Sequence, residues 1–182
     1  MQQSKRTKEQ QRIFNLCLTG LMAAVIAVFT STVKVQTGIN GGYLHFGDSM
    51  VYLSGCIVGP YGIISSAIGG ALADVLAGAP VWAIPTAVIK SLNCIPFVIA
   101  MHYYIKKKGT FKIINAYTVP MIVISGLITI WGYFPVSGLL YSFEGAWLEI
   151  PSSIIQAVGS GAIFVIIGLA LDAAKINKLL KR

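Results

Sequence analysis

Polar and apolar positions along this chain sort into long apolar runs divided by short polar or glycine-rich connections. A helix crossing the hydrocarbon core of a bilayer needs ~20 apolar residues, because ~30 Å must be covered at ~1.5 Å per residue. Six such runs are legible, over residues 13–33, 48–59, 62–78, 82–105, 116–136 and 151–174. The second is short and ends at Gly59-Pro60-Tyr61-Gly62, a turn signal that parts it from the third. The pattern predicts an all-α fold, an integral membrane bundle of six transmembrane helices forming one membrane domain over residues 1–182.

Composition narrows the class. Of the 182 residues, 55% are hydrophobic and only 11% charged, with a mean hydropathy of +0.75. Soluble domains carry ~25% charged residues, so a soluble domain, a disordered chain and a disulfide-stapled secreted module all fit poorly. The net charge of +8 would suit a nucleic-acid partner, but its distribution gives another reading. Lys5, Arg6, Lys8 and Arg12 precede the first run; Lys106, Lys107, Lys108 and Lys112 divide the fourth from the fifth; Lys175, Lys178, Lys181 and Arg182 follow the last. By the positive-inside rule these place residues 1–12, 106–112 and 175–182, and with them both termini, in the cytoplasm. The connections 34–46 and 137–150 then lie outside. The basic start leads into a run of full spanning length, which predicts a retained helix and not a cleaved leader. No internal repeat is evident.

Candidate chemistry is sparse. Cys17, Cys56 and Cys94 are widely spaced within apolar runs and read as small buried hydrophobes, while His45 and His102 have no neighbour at metal-ligand spacing, so no metal site is expected. No phosphate-binding loop of the form GxxxxGK[ST] occurs, and neither a catalytic constellation nor a cofactor is predicted. Small residues form a stripe in the first run, Gly20, Ala23, Ala24 and Ala27, suited to close helix packing in the bundle or against another subunit. A similar stripe, Gly62, Ser66, Gly70, Asp74 and Gly78, marks the third.

Ionisable groups in lipid face cavities or partners. Lys90, with Asn93 three residues on, and Asp74 either pair with each other inside the bundle or meet a guest. Asp48 reads first as a carboxylate at a helix start, where the dipole favours it. Glu149, Ser152, Ser153 and Gln156 fall at i, i+3, i+4 and i+7 and give the last helix one polar face near the outer surface. The first connection adds Asn40, Tyr43 and His45 among flexible glycines, and Trp82, Trp131 and Tyr133 lie at a similar level as interfacial belt or pocket wall. Together these predict an outward-facing pocket for a small, polar, ring-bearing solute, with Asn40, Tyr43, His45, Asp74, Trp82, Lys90, Asn93, Trp131, Glu149, Ser152 and Gln156 as its binding residues.

The six short spans, the basic N-terminus, the Ala23-xxx-Ala27 stripe and the segment Gly42-Tyr43-Leu44-His45-Phe46-Gly47-Asp48 resemble the substrate-binding S component of energy-coupling factor (ECF) transporters. Gly59-Pro60-Tyr61-Gly62, Gly69-Gly70-Ala71-Leu72-Ala73-Asp74 and Ile89-Lys90 extend the likeness. The resemblance is greatest to the riboflavin-type and hydroxymethylpyrimidine- or pyridoxine-type branch, which cobalamin-specific members share. It implies a plasma-membrane vitamin-uptake subunit that binds no cofactor and works with a transmembrane coupling subunit and two ATPase subunits, which use the ATP. The first-helix residues Gly20, Ala23, Ala24 and Ala27 are the expected partner contacts. Two other readings stand beside it. One is a self-sufficient ion-coupled transporter using Asp74 or Glu149. The other is an integral-membrane enzyme with Asp74, Glu149 or His45 as acid or base, although no nucleophile–base pair supports it.

Overall fold

A computed structural model describes residues 7–36 and 43–180. The element order is α1 (Lys8–Thr32), β1 (Lys34–Gln36), β2 (Tyr43–His45), α2 (Asp48–Val58), α3 (Tyr61–Ala77), a single 3-10 turn (Pro80–Trp82), α4 (Ala83–Lys108), α5 (Met121–Leu140), α6 (Phe143–Ala173) and the short α7 (Asn177–Leu180). The all-α reading holds, with one addition. The first connection contains a two-stranded antiparallel hairpin, with Lys34 opposite His45 and Gln36 opposite Tyr43.

Helix starts follow local chemistry. Thr7 opens α1 through a reciprocal capping box with Gln10. The expected start of the fifth helix at 116 is corrected to Met121. Asn115 Oδ1 accepts the backbone N–H groups of Tyr117 (2.8 Å) and Thr118 (3.1 Å), holding this stretch in a turn. The expected external loop at 137–150 is also corrected. It is almost wholly helical, because Ser142 caps the N–H of Gly145 and starts α6 there. Pro151 therefore lies inside α6, where it removes one rung of the ladder without ending the helix.

Four helical segments, Lys8–Thr32, Pro80–Lys108, Met121–Leu140 and Phe143–Ala173, are long and apolar enough to cross a membrane. The sequence reading of six spanning helices is thus met by four long helices and two shorter ones. The 11 residues of α2 reach only about 17 Å and the 17 of α3 about 26 Å. Every residue of α2 is buried, so protein surrounds its two ends and the helix need not match a bilayer. The outer surface is apolar instead, with Leu21, Val28, Val123, Leu127, Ile155 and Ile166 exposed.

Helices α2, α4 and α6 meet along their inner faces. Tyr52 stacks on Phe97 with ring centroids 4.5 Å apart, and Phe164 meets both rings edge-on at 5.8 and 5.0 Å. On the other side α1 lies hard against α3. A methyl group on Gly69 would stand 2.6 Å from the Ala23 carbonyl oxygen, so glycine is required at that crossing. At the far end from the hairpin, the Asp172 carboxylate accepts the N–H groups of Ile113 (2.8 Å) and Ile114 (3.0 Å). That clasp gathers the lysine-rich 106–112 stretch and the basic C-terminal segment at one end of the bundle.

Candidate functional site: a polar cleft beneath the hairpin

The cleft lies at the hairpin end and encloses about 580 Å³, counted out to its open mouth. It is lined by Leu44 and His45 from β2, Asp74 from α3, Trp82 and Thr86 at the start of α4, Tyr133 from α5, and Glu149, Ser152, Ser153 and Gln156 from α6. Short-range chemistry puts each in place. The ring of Phe46 seats over Gly159, where a methyl group would come within 2.3 Å of it, and so ties the end of the hairpin to α6. The His45 N–H then donates to Gln156 Oε1 at 3.3 Å.

Beneath the cleft is a charged floor. Lys90 Nζ forms an ion pair and hydrogen bond with Asp48 Oδ1, and Gln156 Nε2 donates to Asp48 Oδ2 at 3.0 Å. Asp48 and Lys90 have almost no exposed surface. Two opposite charges sharing hydrogen bonds are the form in which buried ions are tolerated. The 5.2 Å approach of Lys90 Nζ to the Tyr133 ring adds a cation–π contact. Gly70 leaves room for the lysine stem, since a methyl group there would lie 2.9 Å from Lys90 Cγ.

The walls are aromatic. The Trp82 ring lies 5.9 Å from that of Tyr133 and stacks at 6.0 Å on Tyr141. Tyr133 donates its hydroxyl hydrogen to Thr86 Oγ1 at 3.1 Å. Trp82 is only 6% exposed, yet its indole Nε1–H meets no acceptor, and Glu149 Oε1 meets no donor. Buried polar atoms are nearly always paired. A donor and an acceptor left over in the walls of one open cleft mark where a guest would bind.

His45, on the hairpin and outside the helices, is buried and neutral. Its Nδ1 accepts the Gly47 N–H at 3.1 Å. Burial chiefly, and the Lys90 ammonium next, push its pKa down from 6.5 to about 3, against the opposing pull of Asp48.

A model of the ECF-type riboflavin transporter S component family matches residues 10–175, which takes in every element of the cleft. The chain belongs to this S-component family. A protein of Pyrococcus woesei, described only as an uncharacterized protein in a gap 3′ region, is 34% identical over 139 residues, 76% of this chain and 87% of the relative. No solved structure matches. As an S component with apolar outer faces on its long helices, the protein is a multi-pass membrane transport subunit of the vitamin-uptake class.

Within this S component, six of the expected binding residues line the cleft: His45, Asp74, Trp82, Glu149, Ser152 and Gln156. The other five stand elsewhere. Lys90 is in the floor, and its partner is Asp48 where Asp74 was one expected choice. Asn93 is a turn deeper and donates to Thr129 Oγ1 at 2.8 Å, so it joins helices instead of lining the cleft. Trp131 is 58% exposed on the outer side of α5 against Phe134, because its position on that helix turns it outward. Asn40 lies outside the described residues, and Tyr43 is described only through its backbone in β2. Leu44, Thr86, Tyr133 and Ser153 are lining residues the expected set lacked. Ser153 and Tyr133 carried a signal, in the polar face of α6 and the aromatic level near Trp82. Leu44 and Thr86 carried none.

The small-residue stripe of α1 is divided. Ala23 and Ala27 are 6% and 4% exposed, turned into the bundle toward α3, whereas Gly20 and Ala24 face outward. Cys17 is exposed on α1, contrary to the buried role expected of it, while Cys56 and Cys94 are buried. Among the described residues no group of histidine, cysteine or carboxylate side chains has the makings of a metal site.

Proposed function

We propose that this protein is the solute-capture subunit of an ATP-driven vitamin-uptake complex, with six membrane-embedded helices, both termini cytoplasmic and the cleft open to the outside. The observation that carries the reading is the aromatic-walled cleft, with its unpartnered Trp82 donor and Glu149 acceptor, set above a floor whose own charges are already matched. The orientation is supported by the basic segments gathered at the opposite end, near the Asp172 clasp, where the positive-inside rule puts the cytoplasm.

The guest is a small water-soluble vitamin or precursor with a flat ring, of the hydroxymethylpyrimidine, pyridoxine or riboflavin kind. Transport requires a coupling subunit and two ATPases. The outward face of α1, with Gly20 and Ala24 among Leu21, Val25 and Val28, is where the coupling subunit docks, because small residues there let a second helix approach closely. Mass spectrometry of small molecules released from the full chain purified in detergent tests the reading. Recovery of a ring-bearing vitamin is expected. Recovery of none, with no binding across a panel of water-soluble vitamins, overturns it.

A further inference from the structure

The charge of the cleft carries a further step, which rests on the solute-capture reading above. Two carboxylates, Asp74 and Glu149, line the cleft, and no lysine or arginine does. The nearby Lys90 is matched by Asp48 in the floor. The only other basic residue at this end among the described residues, Lys34, gives its ammonium to the Ala77 carbonyl at 3.2 Å, at the close of α3. Residues 37–42, Thr-Gly-Ile-Asn-Gly-Gly, contain no ionisable side chain, so the rest of the hairpin brings no countercharge whatever its conformation. Even with Lys34 counted, acid exceeds base here, since Glu144 adds a further carboxylate. The second observation is independent of charge. Trp82 and Tyr133 line the cleft with aromatic rings, Tyr133 already holding the Lys90 ammonium 5.2 Å from its centroid, so the wall is of a kind that attracts cations.

We propose that the cleft selects a nitrogen heterocycle bearing a positive charge or several N–H donors, of the aminopyrimidine or pyridine class, and rejects solutes carrying phosphate or carboxylate. Glu149 Oε1, which has no donor, takes the ring's amino or protonated nitrogen. Asp74, which also lines the cleft, adds a second negative charge, and this contribution stands whatever hydrogen bonds its carboxylate makes. A phosphate ester would set its charge beside both carboxylates in a site screened poorly by water. The same arrangement discriminates among otherwise similar guests, because an uncharged flavin gains the aromatic wall but not the charge.

Isothermal titration of the full chain in detergent tests this with three pairs of probes: 4-amino-5-hydroxymethyl-2-methylpyrimidine, pyridoxine and riboflavin, each against its phosphate ester. The aminopyrimidine or pyridoxine is expected to bind at least about tenfold more tightly than riboflavin, and every alcohol at least about tenfold more tightly than its ester. Glu149→Gln and Asp74→Asn are each expected to weaken the tightest amine probe about tenfold and to narrow its margin over the ester, while Trp131→Ala, outside the cleft, changes binding by less than about threefold. Esters that bind as well as alcohols overturn the proposal. So does amine affinity unmoved in both carboxamide variants. Riboflavin and its phosphate binding alike, and best, would sink the charge selection while leaving solute capture standing; silence from all six probes would overturn both.

Discussion

The same three helices build two unlike layers. Toward the hairpin, α2, α4 and α6 contribute Asp48, Lys90 and Gln156, joined by directional polar contacts. Further along the same helices they contribute Tyr52, Phe97 and Phe164, three wholly buried rings in mutual contact. In lipid there is little hydrophobic force between helices, and close packing takes its place. The aromatic layer supplies that packing and fixes how the helices stand. The polar layer is what such a frame permits: a few charges matched within the wall, with space left above them. Rigidity and vacancy are thus separated along the helix axis and not assigned to different helices.

The sharpest way to break this division is to cut into the aromatic layer. Phe97→Ala or Phe164→Ala should destabilise the fold by ~3–5 kcal/mol, the range for emptying a buried aromatic site. Thermal melting in detergent reads the loss, and an unchanged melting temperature would show that the layer does not hold the helices. The polar layer should answer differently. Lys90→Met strands the Asp48 carboxylate without its counter-ion, with an expected loss of ~3 kcal/mol. Adding Asp48→Leu should restore most of it, since an apolar pair of similar volume replaces a matched ion pair at little net cost. Failure of the double variant to recover would mean that the pair does more than neutralise itself.

The two layers were unequally legible in the sequence. The outer one announced itself, because Lys90 and Gln156 are out of place in apolar runs and a polar side chain in lipid demands an explanation. Their pairing was hidden. Asp74 was the candidate partner for Lys90 while Asp48 read as a carboxylate at a helix start, and the true pairing depends on how α2 enters the bundle, which no local pattern encodes. The inner layer was invisible, since Tyr52, Phe97 and Phe164 differ in no way from aromatics elsewhere in the runs. Trp131 shows the reverse error. It sits at the right depth, but depth along a helix does not reveal which way a residue faces. The lower edge of the hydrophobic pattern also misplaced α6, because Pro151 resembles a helix start and the Ser142 cap further back is the true one.

A smaller effect distinguishes the two faces of α1. Ala27→Leu pushes extra volume into the crossing with α3 and should destabilise by ~1–3 kcal/mol. Ala24→Leu lies on the outward face and should change stability by less than ~0.5 kcal/mol. Co-purification with a coupling subunit and its ATPases completes the comparison. The Ala24 variant should lose partners while still binding solute, and the reverse pattern would return partner contact to the inward stripe.

The last perturbation is a proton on His45. Folded, this imidazole stays neutral down to about pH 3, with Nδ1 holding the Gly47 N–H. Unfolded, it takes a proton near its ordinary value of 6.5. Below that pH the unfolded chain binds a proton that the folded chain refuses, so stability is complete above 6.5 and declines as the pH falls toward 3. The slope approaches ~1.4 kcal/mol per pH unit. His45→Asn offers Oδ1 as acceptor for the same N–H but has no proton to gain. Melting curves taken between neutrality and about pH 4.5 should therefore be flatter for the variant than for the native chain. Parallel curves would assign the acid sensitivity to the carboxylates of the polar layer, and the hairpin would then be a roof whose attachment to α6 does not depend on the charge state of its histidine.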